Sequence, residues 1–286
     1  MSRIALLLLW LVHPLPLPLV RALGAALGAV LYQVARARRR VAETNLRLCL
    51  PEQDDATRAQ LVRAVVCHFS QSVVDRALLW HSSATRLRQL ITLHGAGHLH
   101  ALDGQPVILL APHFIGMDAA WTRLTLEQPM AGTYARQTNL VFDAALYRGR
   151  TRFNGALALA RQDGVRAALR ELKNGLPLYI LPDMDFGARD AVFAPFFGVS
   201  AATVTAASRM ARITGARVLP VVSKMTPQGY EVTIHPPWDN FPSASDEEDA
   251  QRMNAFIEAD VRGAPDQYHW LHKRFKTRPA GAAKVY

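Results

Sequence analysis

A histidine and a carboxylate follow a strand-like apolar run near the middle of the sequence. Val107–Ala111 is entirely apolar, Pro112 and His113 end it, and Asp118 lies five positions after the histidine. Ligand sites in open α/β sheets collect beyond the carboxyl ends of strands, so we expect His113 at such an edge. Asp118 would open the next helix, where it could orient the imidazole and stabilise its protonated form. This pair predicts a general base for an alcohol, although polar residues at strand ends also serve only as helix caps.

Four further segments carry polar or aromatic groups to places where strands or helices end. Tyr147–Arg152 is a dense basic patch, and a short apolar run at 178–181 leads into a loop with Asp183 and Asp185. Phe193–Gly198 is aromatic, and Tyr268–Pro279 mixes aromatic, histidine and basic residues. We expect the aromatic loop to be core unless it faces His113, where it would line an apolar slot.

The sequence lacks several well-known catalytic motifs. It has no Gly-x-Ser-x-Gly elbow, which argues against a serine esterase, and no phosphate-binding P-loop or zinc-binding His-Glu-x-x-His. Cys49 and Cys67 form neither a disulfide framework nor a zinc motif, and we expect both to be small, partly buried residues in a reducing compartment.

Strand and helix patterns alternate along most of the chain. Strands are predicted over 105–111, 130–136, 178–181, 218–224 and 230–235, and helices over 55–80, 118–127, 143–152, 163–174, 202–214 and 245–261. The turn at 227–229 predicts a hairpin between the last two strands. This alternation predicts an α/β fold, with a mixed, mostly parallel central sheet flanked by helices.

The composition favours a protein that works at a membrane. The 286-residue chain has a formal net charge of +10, and 50% of its residues are hydrophobic. Strong basicity is typical of proteins that bind nucleic acid, anionic membranes or acidic partners. The aromatic and basic patterns of common nucleic-acid-binding modules are absent, so we expect a membrane and acidic partners and no nucleic acid.

The N-terminus contains two apolar runs, Ile4–Val12 and Ala22–Val34. Neither reaches the roughly 20 residues that a membrane-spanning helix needs. Together they could form one interrupted span or a hairpin within one leaflet. Gly24 and Gly28 are spaced for close helix packing.

Four arginines follow these apolar runs, at positions 36 and 38–40. A basic cluster beside a hydrophobic segment normally stays in the cytoplasm against anionic headgroups. This argues against a cleaved signal peptide, for which residues 35–37 would be a poor cleavage site. We therefore predict a membrane anchor over residues 1–40 and a catalytic domain over 41–286.

The motifs together resemble those of the bacterial lipid A biosynthesis (late) acyltransferases, within the His-x4-Asp/Glu glycerolipid acyltransferase superfamily. The resemblance covers nearly the whole chain. It rests on the anchor with its arginines, the segment around His113 and Asp118, Leu-Pro-Asp-Met-Asp-Phe-Gly at 181–187, and the runs at 196–204 and 270–279. The last two runs are the most specific. Many of these enzymes have Glu where this chain has Asp118, and either carboxylate suits the reaction.

The resemblance implies acyl transfer from acyl carrier protein to the hydroxyl of a hydroxyacyl chain on a lipid A precursor, at the cytoplasmic face of the inner membrane. His113 would be the general base and Asp118 would hold its ring. Arg150 would bind substrate phosphate or the developing oxyanion. Asp183 would structure the site or act through Arg150, with Asp185 as the alternative. The resemblance implies no metal or organic cofactor.

A lysophosphatidate or other lysophospholipid acyltransferase is the alternative, and the run at 270–279 disfavours it. A non-catalytic protein that only binds anionic lipid is a further alternative. We expect His269 and His272 in interface packing and headgroup contact rather than catalysis. A basic cluster beside them is predicted to be a solvated face that could hold lipid phosphate or the acidic carrier protein; it comprises Lys273, Arg274, Lys276 and Arg278.

Overall fold

A seven-stranded sheet forms the centre of the protein in a computed structural model that describes residues 2–286. The described strands are β1 (Ile91–His94), β2 (Val107–Leu110), β3 (Ala131–Tyr134), β4 (Leu157–Ala160), β5 (Leu178–Ile180), β6 (Ala191–Phe196), β7 (Val199–Val204), β8 (Arg217–Thr226) and β9 (Gly229–Ile234). The order across the sheet is β1-β9-β8-β2-β5-β3-β4. Among the described strands of this seven-stranded sheet only β8 and β9 pair antiparallel, and β6 and β7 form a separate antiparallel pair. The predicted mixed, mostly parallel sheet and its terminal hairpin are confirmed.

Helices cover both faces of the sheet. They are α1 (Ser2–Val12), α2 (Leu17–Val34), α3 (Arg36–Cys49), α4 (Asp55–His81), α5 (Ala84–Leu90), α6 (Ala96–His100), α7 (Met117–Thr125), α8 (Leu140–Arg150), α9 (Arg166–Lys173), α10 (Ala206–Thr214) and α11 (Asp246–Gly263). Their starts follow from local chemistry: the Asp54 carboxylate accepts from the Thr57 N–H at 2.6 Å, and the Ser245 hydroxyl accepts from the Glu248 N–H at 3.3 Å.

Strand β2 lies in the middle of the sheet, and all four of its side chains are buried. Val107 and Leu109 belong to the core that also contains Trp80 of α4. Ile108 and Leu110 belong to the opposite core, formed with α9, α10 and α11. Successive side chains of a strand point to opposite faces, so a continuous apolar run is what a strand covered on both sides requires.

The N-terminal helix α2 packs on α4 and on the β8–β9 hairpin. Gly24 and Gly28 are buried against α4, and a Cβ on Gly24 would lie 2.6 Å from the Cα of Gln71, so the predicted close packing is confirmed. Arg21 donates to Asp75 of α4 at 2.7 Å and to the carbonyl of Gly229 at 3.1 Å. One face of α2 is thereby fixed to α4 and to the β8–β9 hairpin.

The opposite faces of α1 and α2 are exposed and apolar. The large exposed side chains are Ile4, Leu7, Leu8, Trp10, Leu11, Leu19, Leu23, Leu27, Val30 and Val34. Among the described helices, Leu17–Val34 is long and apolar enough to cross a membrane by length and composition. Helix α3 continues through the predicted boundary between residues 40 and 41.

Two predicted segments are wrong. The aromatic loop around Phe193 and the first part of the helix predicted over 202–214 form the antiparallel hairpin β6–β7, and α10 begins at Ala206. Three of the six residues of β7 are β-branched, Val199, Thr203 and Val204, and they suit a strand once β6 pairs with it. Strands β1 and β4, of four residues each, have no strand predicted in the sequence.

Candidate active site

His113 is held by Asp183, which follows the neighbouring parallel strand. Strands β2 and β5 pair with Leu110 opposite Ile180, so the loops after both strands leave the same edge of the sheet. The Asp183 carboxylate accepts from the His113 backbone N–H at 2.9 Å and lies 2.6 Å from the ring Nδ1. These two contacts fix both the main chain and the ring of the histidine.

Asp183 is an anion in this environment. Its side chain is fully buried, which by itself would raise the pKa of the carboxyl group. The charge and hydrogen bonds of His113 outweigh that effect and lower the pKa below the ordinary range. A carboxylate can only accept hydrogen bonds, so Nδ1 carries a proton, and in the neutral form of the ring Nε2 has the lone pair.

Asp118 does not hold the histidine ring, and that prediction is wrong. Its Oδ2 atom accepts from Arg76 Nη2 at 3.0 Å, and its Oδ1 atom accepts from Arg150 Nε at 3.1 Å. Burial acts to raise the Asp118 pKa, but the charges of Arg150 and Arg76 outweigh it and lower the pKa below its usual range. Asp118 lies in the first turn of α7, and both of its carboxylate oxygens are engaged by arginines.

The two arginines come from different helices that meet beside this carboxylate. Arg76 belongs to α4 and Arg150 to the last turn of α8. Gly149 permits the close approach, since a Cβ there would lie 2.5 Å from the ring of Trp80 on α4. Arg150 pairs with Asp118, and Asp183 acts on His113 directly rather than through Arg150. No sequence motif marks Arg76, because its partner is 42 residues away along the chain.

His113 opens into a cleft of about 320 Å³. Its walls combine three arginines with apolar side chains. They include Arg76, Met117, Tyr134, Phe142, Leu146, Arg150, Arg161, Leu181, Met184 and Phe186. An adjoining pocket of about 250 Å³ shares Arg161, Leu181 and Phe186 with the cleft. The remaining wall of that pocket is mainly apolar and includes Leu159, Val165, Ala168, Ile180, Pro182, Val204, Ala207 and Met210.

The C-terminal segment closes one side of the histidine. The His269 N–H donates to the His113 carbonyl at 3.0 Å, and the rings of His269 and His272 lie 6.2 and 6.4 Å from the His113 ring. Burial lowers the pKa of His272 to about 4, so its ring is neutral. The expectation of headgroup contact is wrong for His272, which is buried beside the histidine of the site.

Two of the four residues of the C-terminal basic cluster do not belong to a solvated face. Arg274 is fully buried and donates to the carbonyl of Ala202 at 2.7 Å, and Arg278 donates to the carbonyl of Ser200 at 2.7 Å. Lys273 and Lys276 are exposed, as predicted. A buried guanidinium needs several acceptors, and Arg274 also donates to the Thr203 hydroxyl and to the Asn254 amide oxygen.

Asp185 and the aromatic residues of the β6–β7 hairpin do not line the cleft at His113. The Asp185 carboxylate accepts from the Thr277 N–H at 2.6 Å and from its hydroxyl at 2.7 Å, which fixes the C-terminal segment. Phe196 and Phe197 pack in a core with Trp270, and Phe193 is partly exposed. Phe196 and Phe197 are therefore core, and the apolar walls near His113 come mainly from α8 and from the loop after β5.

The arrangement can deprotonate an alcohol next to an apolar cavity. The lone pair of Nε2 accepts the proton, and Asp183 stabilises the imidazolium that forms. Within residues 2–286, no group of three His, Cys, Asp or Glu side chains is arranged to hold a metal ion. Cys49 and Cys67 are free thiols, buried and partly buried respectively.

The family model and the related proteins point to the same family. The model of the family described as bacterial lipid A biosynthesis acyltransferase matches residues 2–277. The lipid A biosynthesis lauroyltransferase of Escherichia coli (strain K12) is 31% identical over 283 residues, which cover 97% of this chain and 92% of the relative. The myristoyltransferase of the same pathway in that strain is 32% identical over 92% of this chain and 82% of its own length.

A solved structure is similar to part of the fold. The 1-acyl-sn-glycerophosphate acyltransferase of Thermotoga maritima covers 85% of this chain and 98% of its own, at 16% sequence identity and a TM-score of 0.42.

Proposed function

Because this chain belongs to the bacterial lipid A biosynthesis acyltransferase family, we propose that it moves a fatty acyl chain from acyl-acyl carrier protein to the hydroxyl of a hydroxyacyl chain on a lipid A precursor. The observation that carries the proposal is the His113 ring, fixed through Nδ1 by a buried carboxylate, in a cleft that adjoins a mainly apolar pocket. That arrangement suits a base acting on a lipid hydroxyl.

The proposed reaction transfers one proton to His113 and then one proton from His113 to the leaving group. His113 Nε2 takes the proton of the acceptor hydroxyl as its oxygen attacks the thioester carbonyl. The carbon–sulfur bond breaks, the ester forms, and the imidazolium returns the proton to the departing thiolate. Asp183 keeps the ring in the required tautomer and stabilises its charged form. The role proposed for Asp118 is to position Arg76 and Arg150.

The adjoining apolar pocket is a suitable site for a fatty acyl chain. It shares Leu181 and Phe186 with the cleft, so a chain inside it would leave its carboxyl end near His113. Burial of each methylene contributes about 0.8 kcal/mol, which makes such a pocket a large source of affinity.

We place the enzyme on the cytoplasmic face of the inner membrane, anchored by α1 and α2. The exposed apolar faces of these helices support an immersion in lipid, and Arg36, Arg38 and Arg40 at the start of α3 suit an anionic headgroup layer. We keep residues 1–40 as the anchor and 41–286 as the catalytic domain.

Mass spectrometry of lipid A from cells with and without the protein tests this function. The protein should add one secondary acyl chain, and the His113→Ala variant should not. A lipid A profile that is the same in both cells, together with changed phospholipid acylation, would favour the lysophospholipid acyltransferase alternative. A His113→Ala variant with wild-type acylation would exclude the mechanism.

A further inference from the structure

We propose that Arg76 and Arg150 together form a phosphate-binding site whose two guanidinium groups are held in place by Asp118. This inference rests on the proposed function, because it concerns a phosphate carried by one of the two proposed substrates. It assigns a binding role to Arg76, which lies on α4 far from every motif of the sequence.

The first argument is the number of hydrogen-bond donors left open. Asp118 engages Nε and Nη2 of both arginines. Across the described chain, no hydrogen bond engages Nη1 of Arg76 or Arg150, and neither atom is buried without a partner. Both side chains line the cleft that contains His113. Two Nη1 amino groups are therefore available to a ligand.

The second argument is charge. Two guanidinium groups face one carboxylate, which leaves one positive charge in a site where each arginine side chain is only 18% exposed. With the His113 ring neutral, the Asp183 carboxylate offsets one positive charge, and Arg161 at the wall of the cleft adds another, so these groups together keep a net charge of about +1. Charge interactions are stronger in such a partly enclosed site than in water. The cleft is therefore suited to an anion.

The third argument is that both arginine side chains are held in place before a ligand binds. The two arginines come from α4 and α8, and the shared carboxylate restrains both, so little side-chain freedom is lost when a ligand binds. Planar guanidinium groups with several donors match the oxygen atoms of phosphate. A hydroxyl or an uncharged amide would leave the excess positive charge without a counter-ion.

The phosphate has two possible sources in the proposed reaction. One is a phosphate on the sugar of the lipid acceptor, and the other is the phosphodiester that joins the prosthetic arm to acyl carrier protein. Both present negatively charged oxygens on a tetrahedral phosphorus, so the chemistry of recognition is shared. Substrates that lack one phosphate or the other distinguish them.

The kinetic test compares wild type with Arg76→Ala, Arg76→Lys and Arg148→Ala. Each is assayed with the acceptor before and after phosphatase treatment, and with acyl-phosphopantetheine and acyl-pantetheine as donors. Removal of the bound phosphate should lower kcat/KM of the wild type by about 10- to 100-fold. In Arg76→Ala the same removal should cost less than about 3-fold, because one of the two guanidinium groups is already lost and Asp118 neutralises the remaining Arg150. Arg148 is exposed on α8 and provides the matched control.

A binding test that needs no turnover separates this inference from the proposed reaction. Inorganic phosphate should raise the melting temperature of the wild type and of Arg148→Ala, relative to chloride at equal ionic strength. The rise should be absent in Arg76→Ala and smaller in Arg76→Lys, which keeps the charge if the alanine variant does not fold. The inference is overturned if phosphate does not stabilise the wild type, if both Arg76 variants retain the full effect, or if Arg148→Ala loses it.

Discussion

At the scale of single residues, two buried carboxylates of the site have different partners. Asp183 holds His113 through its main chain and its ring, and Asp118 holds Arg76 and Arg150. Both acids have pKa values lowered by neighbouring positive charge, and both remain ionised near neutral pH. Removal of the Asp183 charge should therefore affect the reaction through His113, and removal of the Asp118 charge should affect it through the two arginines.

We predict that Asp183→Asn lowers kcat by about 10³- to 10⁴-fold with little change in fold, because the ring loses the acceptor that fixes its tautomer. Asp185→Asn is the matched control two residues away. Asp185 binds Thr277, so its substitution should lower the melting temperature and leave kcat within about 3-fold. Steady-state kinetics and thermal melting of both variants check this. Equal losses of kcat would contradict distinct roles.

We predict that stability falls as the pH is lowered from 6.5 to about 4, with a contribution from His272. Burial lowers the pKa of His272 to about 4, whereas an unfolded histidine takes up its proton near pH 6.5. The unfolded state therefore binds more protons in this range, and His272 favours folding above it by the order of 3 kcal/mol. His272→Gln should flatten the pH dependence of chemical unfolding. His94 is exposed, so His94→Gln is the control. The prediction would be contradicted if His272→Gln left the slope of unfolding free energy against pH unchanged and His94→Gln reduced it.

The sequence identified the chemistry of single residues better than their pairing. His113 and Asp183 both follow short apolar runs, and each lies at the predicted sheet edge. The order of strands decides that β2 and β5 are neighbours, and no local pattern encodes that order. Asp118 is closer to His113 along the chain, which is why the motif suggests the wrong partner for the ring.

At the scale of elements, the site depends on how α4, α7 and α8 meet. Helix α4 supplies Arg76, and α8 supplies Arg150 across the contact between Gly149 and Trp80. The long helix α4 was predictable from its apolar periodicity and its Asp54 cap. The β6–β7 hairpin was not, since a short run of small and β-branched residues suits a strand or a helix until its partner strand is known.

We predict that Gly149→Ala lowers activity and thermal stability, because the new methyl group would lie 2.5 Å from the Trp80 ring and force α8 away from α4. Gly97→Ala in α6 is the control, since a Cβ there meets no atom within 4 Å. That change should stabilise the protein by up to about 1 kcal/mol through helix propensity. Thermal melting and kinetics of both variants test the prediction. Stabilisation by Gly149→Ala with full activity would contradict it.

At the scale of the whole molecule, the N-terminal helices form one continuous structure with the catalytic part. Helix α2 buries Gly24 and Gly28 against α4, and Arg21 reaches Asp75 and the β8–β9 hairpin. The hydropathy of the sequence indicates where lipid contact is expected, and it gives no information about this packing. A helix that binds protein along one face presents only its other face to lipid.

We predict that Leu23→Asp combined with Leu27→Asp weakens binding to phosphatidylethanolamine–phosphatidylglycerol vesicles by at least about 10-fold, because both leucines lie on the exposed face of α2. Ile213→Asp on α10 is the control, since it is also an exposed apolar residue. Vesicle co-sedimentation measures the effect. An equal loss for Ile213→Asp would contradict a specific membrane face at α1 and α2.

Nitrogen-15 NMR of the histidine rings tests the central claim most directly. The claim is that Asp183, rather than Asp118, holds His113 through Nδ1. The spectrum should contain a His113 signal for a protonated, hydrogen-bonded Nδ1, assigned by its loss in His113→Gln. This signal should disappear or shift strongly in Asp183→Asn and stay unchanged in Asp118→Asn. A signal that survives in Asp183→Asn and disappears in Asp118→Asn would contradict the account.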